Sequence, residues 1–126
     1  MSDSDRARAA VEAYVAGFNG GSSEKAVWLA TLADNAELID PVGTPARRGK
    51  AEVGGFFDVV FDLCERVELR GRELYVSGDE AALVFTVTQH RKSGEAVTIQ
   101  GVDVFRFDEQ GKITSVKGYP GEPGRV

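Results

Sequence analysis

Three oxygen-bearing side chains in this sequence have types and surroundings suited to moving a proton. The stretch Val97-Thr98-Ile99-Gln100-Gly101-Val102-Asp103-Val104-Phe105-Arg106-Phe107 reads as one strand. Alternation puts Val97, Ile99, Gly101, Asp103, Phe105 and Phe107 on one face. A lone carboxyl then stands among aliphatic and aromatic neighbours, with no Lys or Arg near it on that face. Burying an unpaired carboxylate is expensive, so such a group finds a cation from elsewhere or holds its proton. A protonated acid is a hydrogen-bond donor, and donors aimed at an oxygen that becomes negative stabilise oxyanions. Tyr14 adds a phenol on the apolar stripe of the first helical segment, where a tyrosine otherwise serves as core with a satisfied hydroxyl. Asp40, held against Pro41 at a strand end, adds a carboxylate that is otherwise a common turn initiator. Taken together, a carboxylate base, a phenol and a buried acid describe proton abstraction next to a carbonyl, the two donors sharing the developing enolate.

The elements that must position these groups follow from periodicity. Ala7, Val11, Tyr14, Val15 and Phe18 recur every 3.6 residues on one helical stripe. Ser2 and Asp5 form a candidate capping box, and Asn19-Gly20-Gly21 supplies a left-handed stop. A second helix, capped by Ser22 or Ser23, is expected to run through Ala26, Val27, Leu29, Ala30 and Ala33 to about Asp34-Asn35. Ala36 to Asp40 reads as a short strand stopped by Pro41, and residues 41–45 as loop. A third helix starts near Lys50 with Val53, Phe56, Phe57, Val60 and Cys64 on one face. The Gly54-Gly55 pair inside it, at about 1 kcal/mol per glycine relative to alanine, implies close packing or a mobile first turn. From Arg66 the period falls to 2, and turns recur at Ser77-Gly78-Asp79, Lys92 to Glu95 and Asp108 to Gly111. Helices in the first half and hairpin-joined strands in the second predict an α+β domain, helices packed on one face of a curved antiparallel sheet. The chain reads as one domain over 1–126, ending near Tyr119 with an irregular tail over 120–126.

Composition bounds the function. With 126 residues, 42% of them apolar, the chain is long enough to bury a core unaided. A net charge of -5 argues against a general grip on nucleic acid or anionic membranes. One cysteine and one histidine offer neither an internal disulfide nor a zinc site. The first eight residues carry no apolar run of signal-peptide length and no segment is long enough to span a membrane, so a cytoplasmic protein is expected. His90, beside Arg91 and Lys92, reads as an exposed surface histidine, Trp28 as core, Cys64 as buried and inert. Arg47-Arg48 reads as solvated loop, with an anionic substituent near a cleft mouth as the functional alternative.

The chain resembles the bacterial Δ5-3-ketosteroid isomerases, of the cone-shaped superfamily that includes nuclear transport factor 2, scytalone dehydratase and SnoaL-type polyketide cyclases. Its anchors are Tyr14-Val15-Ala16-Gly17-Phe18-Asn19 before a glycine turn, Asp40-Pro41-Val42-Gly43 ahead of Arg48-Gly49, and Asp103-Val104-Phe105-Arg106-Phe107-Asp108 leading into Gly111-Lys112-Ile113. The resemblance implies an NTF2-like cone, three helices in the N-terminal half packed on a curved mixed, mainly antiparallel sheet. It implies Asp40 as the base that carries a proton from C4 to C6 of a 3-oxo-Δ5-steroid, and Tyr14 with a protonated Asp103 as the oxyanion hole for the dienolate. A carboxylic acid kept neutral at pH 7 is a known property of that family. No metal or organic cofactor is implied. Phe18, Phe56, Phe85, Val87, Ile99 and Val116 are candidates to line an apolar cleft, although each would serve as core. The chain departs from relatives at Leu32 and Phe57, where further tyrosines stand, and at Pro120, where one branch has a pocket tryptophan. Competing readings are a carrier for a hydrophobic small molecule and an enolising enzyme such as a polyketide cyclase. Apolar residues on both sheet faces, Val84 beside Phe85 and Val102 beside Asp103, with the family's habit, imply a homodimer.

Overall fold

The change of period at Arg66 divides the folded chain as it divides the sequence. The computed structural model describes residues 2–122 and 124, with the helices ahead of most of the sheet. Helix α1 (Asp3–Asn19) starts in the expected capping box: the Asp5 amide donates to Ser2 Oγ (3.1 Å) and the Ser2 amide to Asp5 Oδ2 (3.4 Å). It buries Ala7, Val11, Tyr14 and Phe18, and the positive φ that turns the chain after it falls on Gly21.

The second helix is shorter than its sequence suggests. A 3-10 turn over Ser22–Glu24 leads into α2 (Lys25–Leu29), and neither serine caps it with its side chain. The helix does not reach Asn35, because the Thr31 hydroxyl and amide both donate to Trp28 O (2.7 and 3.1 Å) and turn the chain. Strand β1 (Leu32–Ile39) therefore begins four residues ahead of Ala36, its first residue paired with Ile113. Tertiary pairing here overrides a weak local helix preference.

The two-residue strand β2 (Arg47–Arg48) pairs with β1 and hands the chain to α3 (Gly49–Leu63). The glycine pair in α3 marks close packing. A Cβ on Gly54 would lie 3.2 Å from Lys25 Cε, and one on Gly55 3.0 Å from Arg47 Nη1. Cys64 does not close the helix face. It opens β3 (Cys64–Ser77) in extended conformation, paired with Arg91, although its amide still donates to Val60 O and it is as buried as expected.

Strands β4 (Glu80–Arg91), β5 (Ala96–Phe107) and β6 (Ile113–Pro120) complete one open six-stranded sheet in the order β2-β1-β6-β5-β4-β3. Every neighbouring pair is antiparallel except β1 with β6, which makes the sheet mixed. β6 runs one residue past Tyr119, where Pro120 pairs with Gly101. Only glycine permits that approach, since a Cβ on Gly101 would stand 2.7 Å from the Tyr119 carbonyl oxygen. The tail expected over 120–126 falls in part on Pro123, Arg125 and Val126, outside the described residues.

The three helices pack on one face of this sheet around an aromatic core. Trp28 is fully buried, with ring centroids 5.4 Å from Tyr14, 5.0 Å from Phe18 and 5.3 Å from Phe57. α1 and α2 close on each other because Gly17 has no Cβ to meet that of Trp28. His90 is half-buried, not exposed: the β3–β4 register brings its Nε2 within 2.8 Å of Glu68 Oε1. No described helix is long and apolar enough to cross a membrane.

Candidate active site

Tyr14 reaches the site from the buried stripe of α1, its ring edge-on to Phe18 (5.4 Å) and Phe105 (5.2 Å) and tilted against Trp28 (5.4 Å). Burial, then the nearby charges of Asp103 and Asp40, holds its phenol well above the usual range, so the hydroxyl keeps its proton. Leu32 and Phe57 are both buried in the core here, and neither brings a hydroxyl toward Tyr14.

Asp103 projects from the middle of the sheet, paired with Leu83 of β4 and Gly118 of β6. It is 5% exposed, and its Oδ1 is buried without a hydrogen-bond partner among the described residues. Burial above all, with the charge of Asp40 added, pushes its carboxyl well above the usual carboxylate range. These surroundings favour its neutral form, which carries a proton to donate.

Asp40 follows β1 directly, and its bond to Pro41 is cis. The Val42 amide donates to Gly118 O (2.8 Å), fixing the loop beside β6. The carboxyl rests where Gly118 has no side chain, since a Cβ there would be 2.5 Å from Asp40 Oδ1. Partial burial raises this carboxyl to about 6, which leaves it ionised at neutral pH. Burial thus raises the two carboxyls of one site to different extents.

These three side chains line a single cavity of about 390 Å3, within the range of small-molecule sites. Of the apolar candidates, Phe18, Phe56, Phe85, Val87 and Ile99 line it as expected. Val116 does not. Paired with Phe105 and Leu38, it is fully buried in the core. The wall also includes Val59, Val60 and Leu63 of α3, Val67 and Leu69 of β3, and Pro120.

Two polar residues also line the wall: Arg47, expected near a cleft mouth only as the alternative to solvated loop, and Gln89, which was not expected there. Arg47 sits in β2, not in solvated loop; it lines the cavity and donates from Nη1 to Glu52 O (3.4 Å), in space left by Gly55. Gln89 follows Leu83, Phe85 and Val87 at alternate positions of β4, so the period of 2 was the signal for it. The described residues contain no group of three His, Cys, Asp or Glu able to hold a metal.

Three helices on a mixed, open six-stranded sheet, with an apolar cleft ending in carboxyls and a phenol, define an NTF2-like α+β cone. Residues 11–116 match the SnoaL-like domain, and the chain belongs to that family. It is similar to the steroid Δ-isomerase of Nocardioides simplex, at 34% identity over 117 residues and 91% of each chain. Among solved structures it is similar to the Δ5-3-ketosteroid isomerase of Mycobacterium sp., with 26% identity, a TM-score of 0.80, and 90% of this chain and 92% of that one covered. It is also similar to SalBIII, an epoxide hydrolase/cyclase-like enzyme with a role in pyran ring formation in polyether salinomycin. There the identity is 25%, the TM-score 0.85, and the coverage 96% and 95%.

Proposed function

We propose that this protein is a steroid Δ-isomerase that converts 3-oxo-Δ5-steroids to 3-oxo-Δ4-steroids without a cofactor. The observation that carries the reading is the unpartnered, buried Oδ1 of Asp103 in the same cavity as Tyr14 and an ionised Asp40. The Asp40 carboxylate takes the proton from C4, and the electron pair of the C–H bond moves through C3 onto its oxygen. Tyr14 and Asp103 donate hydrogen bonds to that oxygen, which gains negative charge in the dienolate. Asp40, now protonated, returns the proton to C6, and the double bond is left between C4 and C5. The likeness to the Nocardioides enzyme supports steroid as the substrate class.

The test is to mix the protein with 5-androstene-3,17-dione and follow the ultraviolet absorbance of the conjugated enone, with Asp40→Asn as control. Fast conversion that depends on Asp40 is the expected result. No conversion by wild type overturns the reading. The likeness to SalBIII, with its role in pyran ring formation, favours a second reading, cyclisation of another substrate by the same three groups, and tight binding of a phenolic steroid without turnover would move the assignment there.

We assign the sheet face away from the helices to a homodimer. In register across it lie Glu73, Val84, Val102 and Tyr119, and beside them Tyr75, Ala82, Val104 and Lys117. Tyr75 is 63% and Tyr119 46% exposed in the single chain, and an apolar sheet face needs cover. Light scattering at micromolar concentration should give twice the chain mass of 13.5 kDa. A single-chain mass removes the assignment. A cytoplasmic location goes with the reading.

A further inference from the structure

Away from the acids the cavity wall carries the amide of Gln89. Leu83 pairs with Asp103, and Gln89 lies six residues further along β4, a strand contour of about 20 Å. Its surroundings on the wall are Val67, Leu69, Val87 and Ile99. Arg91, two residues on, donates to Gln89 Oε1 from both Nε (3.2 Å) and Nη2 (3.0 Å). Arg91 is itself held by Glu95, from Nη1 to Oε1 at 3.3 Å.

A guanidinium has donors only, so this contact fixes which end of the amide faces Arg91. The Gln89 oxygen is taken and its NH2 is turned away. That nitrogen makes no hydrogen bond among the described residues. The nitrogen is open to the cavity rather than sealed in the protein, so both of its N–H bonds are available to an acceptor on a ligand that fills this apolar end. A neutral oxygen fits better than a carboxylate, because the adjacent cation is already engaged by Gln89 and Glu95.

We infer that the Gln89 amide donates a hydrogen bond to a keto or hydroxyl oxygen at the far end of the substrate, which in a steroid is the oxygen at C17. This assignment rests on the isomerase reading and adds a specificity residue to it. The substrate then carries an oxygen at each end, one polarised by Tyr14 and Asp103 and the other held by Gln89. The class is 17-oxo and 17-hydroxy 3-ketosteroids in preference to 17-deoxy ones.

The experiment is calorimetric titration of estrone, 17β-estradiol and 17-deoxyestrone, whose phenolic A rings stand in for the dienolate. Wild type should bind estrone and estradiol about fivefold more tightly than 17-deoxyestrone, the contribution of one neutral hydrogen bond. In Gln89→Leu the three affinities should fall within about twofold of each other. Gln89→Glu keeps the shape and the Arg91 contact but replaces N–H by an acceptor oxygen. Estrone should then bind more weakly than 17-deoxyestrone, while estradiol, which has a hydrogen to donate, keeps its advantage. A merely structural glutamine would not produce that reversal. An undiminished preference for estrone in Gln89→Leu overturns the inference. So does equal binding of all three by wild type, which leaves the isomerase reading standing because the phenol end still binds. Failure of wild type to bind any phenolic steroid removes both.

Discussion

In the proposed reaction Asp103 and Asp40, the same residue type, act as opposite reagents because their surroundings differ. Asp103 is walled off from solvent, which favours its protonated form, whereas Asp40, at a strand end, is raised only to about 6. As a base Asp40 works only when ionised. The rate kcat/KM should therefore rise with pH through about 6 and level off above it, measured from pH 4.5 to 8.5 by enone absorbance. A profile flat across that window would remove Asp40 from the role. Asp103→Asn keeps a donor aimed at the same place and should lose little in kcat. Asp103→Leu removes the donor and should lose about 10²- to 10³-fold. Equal losses in the two variants would contradict a neutral acid at Asp103.

At the scale of elements, the site depends on how α1 meets the sheet. Asn19, last residue of α1, bridges to Leu69 of β3 in both directions: its Nδ2 donates to Leu69 O (2.9 Å) and its Oδ1 accepts from Leu69 N (2.7 Å). Phe18 beside it and Leu69 itself both line the cavity, so this clamp sets the width between helix and sheet. Asn19→Ala leaves two half-buried backbone groups unpaired and should destabilise the fold by about 2 kcal/mol, read from urea titration. If stability is unchanged, solvent reaches those groups and the clamp is dispensable.

On the scale of the whole molecule, the site acts against the fold. The Asp40 value of about 6 lies above its ordinary 3.8, so the folded state holds that proton more tightly than the unfolded state does. The stabilisation this gives is complete below about pH 4 and is lost as pH rises through 6, a change of about 3 kcal/mol. Asp103, raised further in the same direction, extends the loss to higher pH. Asp40→Asn should therefore be more stable than wild type at pH 8 by up to about 3 kcal/mol and no more stable at pH 3.5. Thermal melts at the two pH values check this, and a stabilisation independent of pH would show that burial of the Asp40 charge is not its cause. Such a conflict between stability and activity is the pattern of a functional site.

What the sequence determined by itself is whatever repeats at short range. The 3.6-residue stripe of α1 put Tyr14 inside, the period of 2 in β5 put Asp103 on an apolar face, and Asp40 against Pro41 marked the end of β1. Each of these depends only on a residue's own element, whose geometry its neighbours dictate. Where α2 stops and β1 starts, which element Cys64 joins, and that Val116 packs in the core and not on the cavity wall were decided by partners distant in the chain: Ile113, Arg91 and Phe105. The place of Arg47 over Gly55 and the contact of the Gln89 oxygen with Arg91 join residues close in the chain, yet they depend on side-chain geometry that hydropathy periodicity does not carry. Local propensities differ by fractions of a kcal/mol, and a single ladder pairing or buried hydrogen bond outweighs them. The identity of the reacting groups is therefore local information, while the shape of the space around them belongs to the tertiary structure.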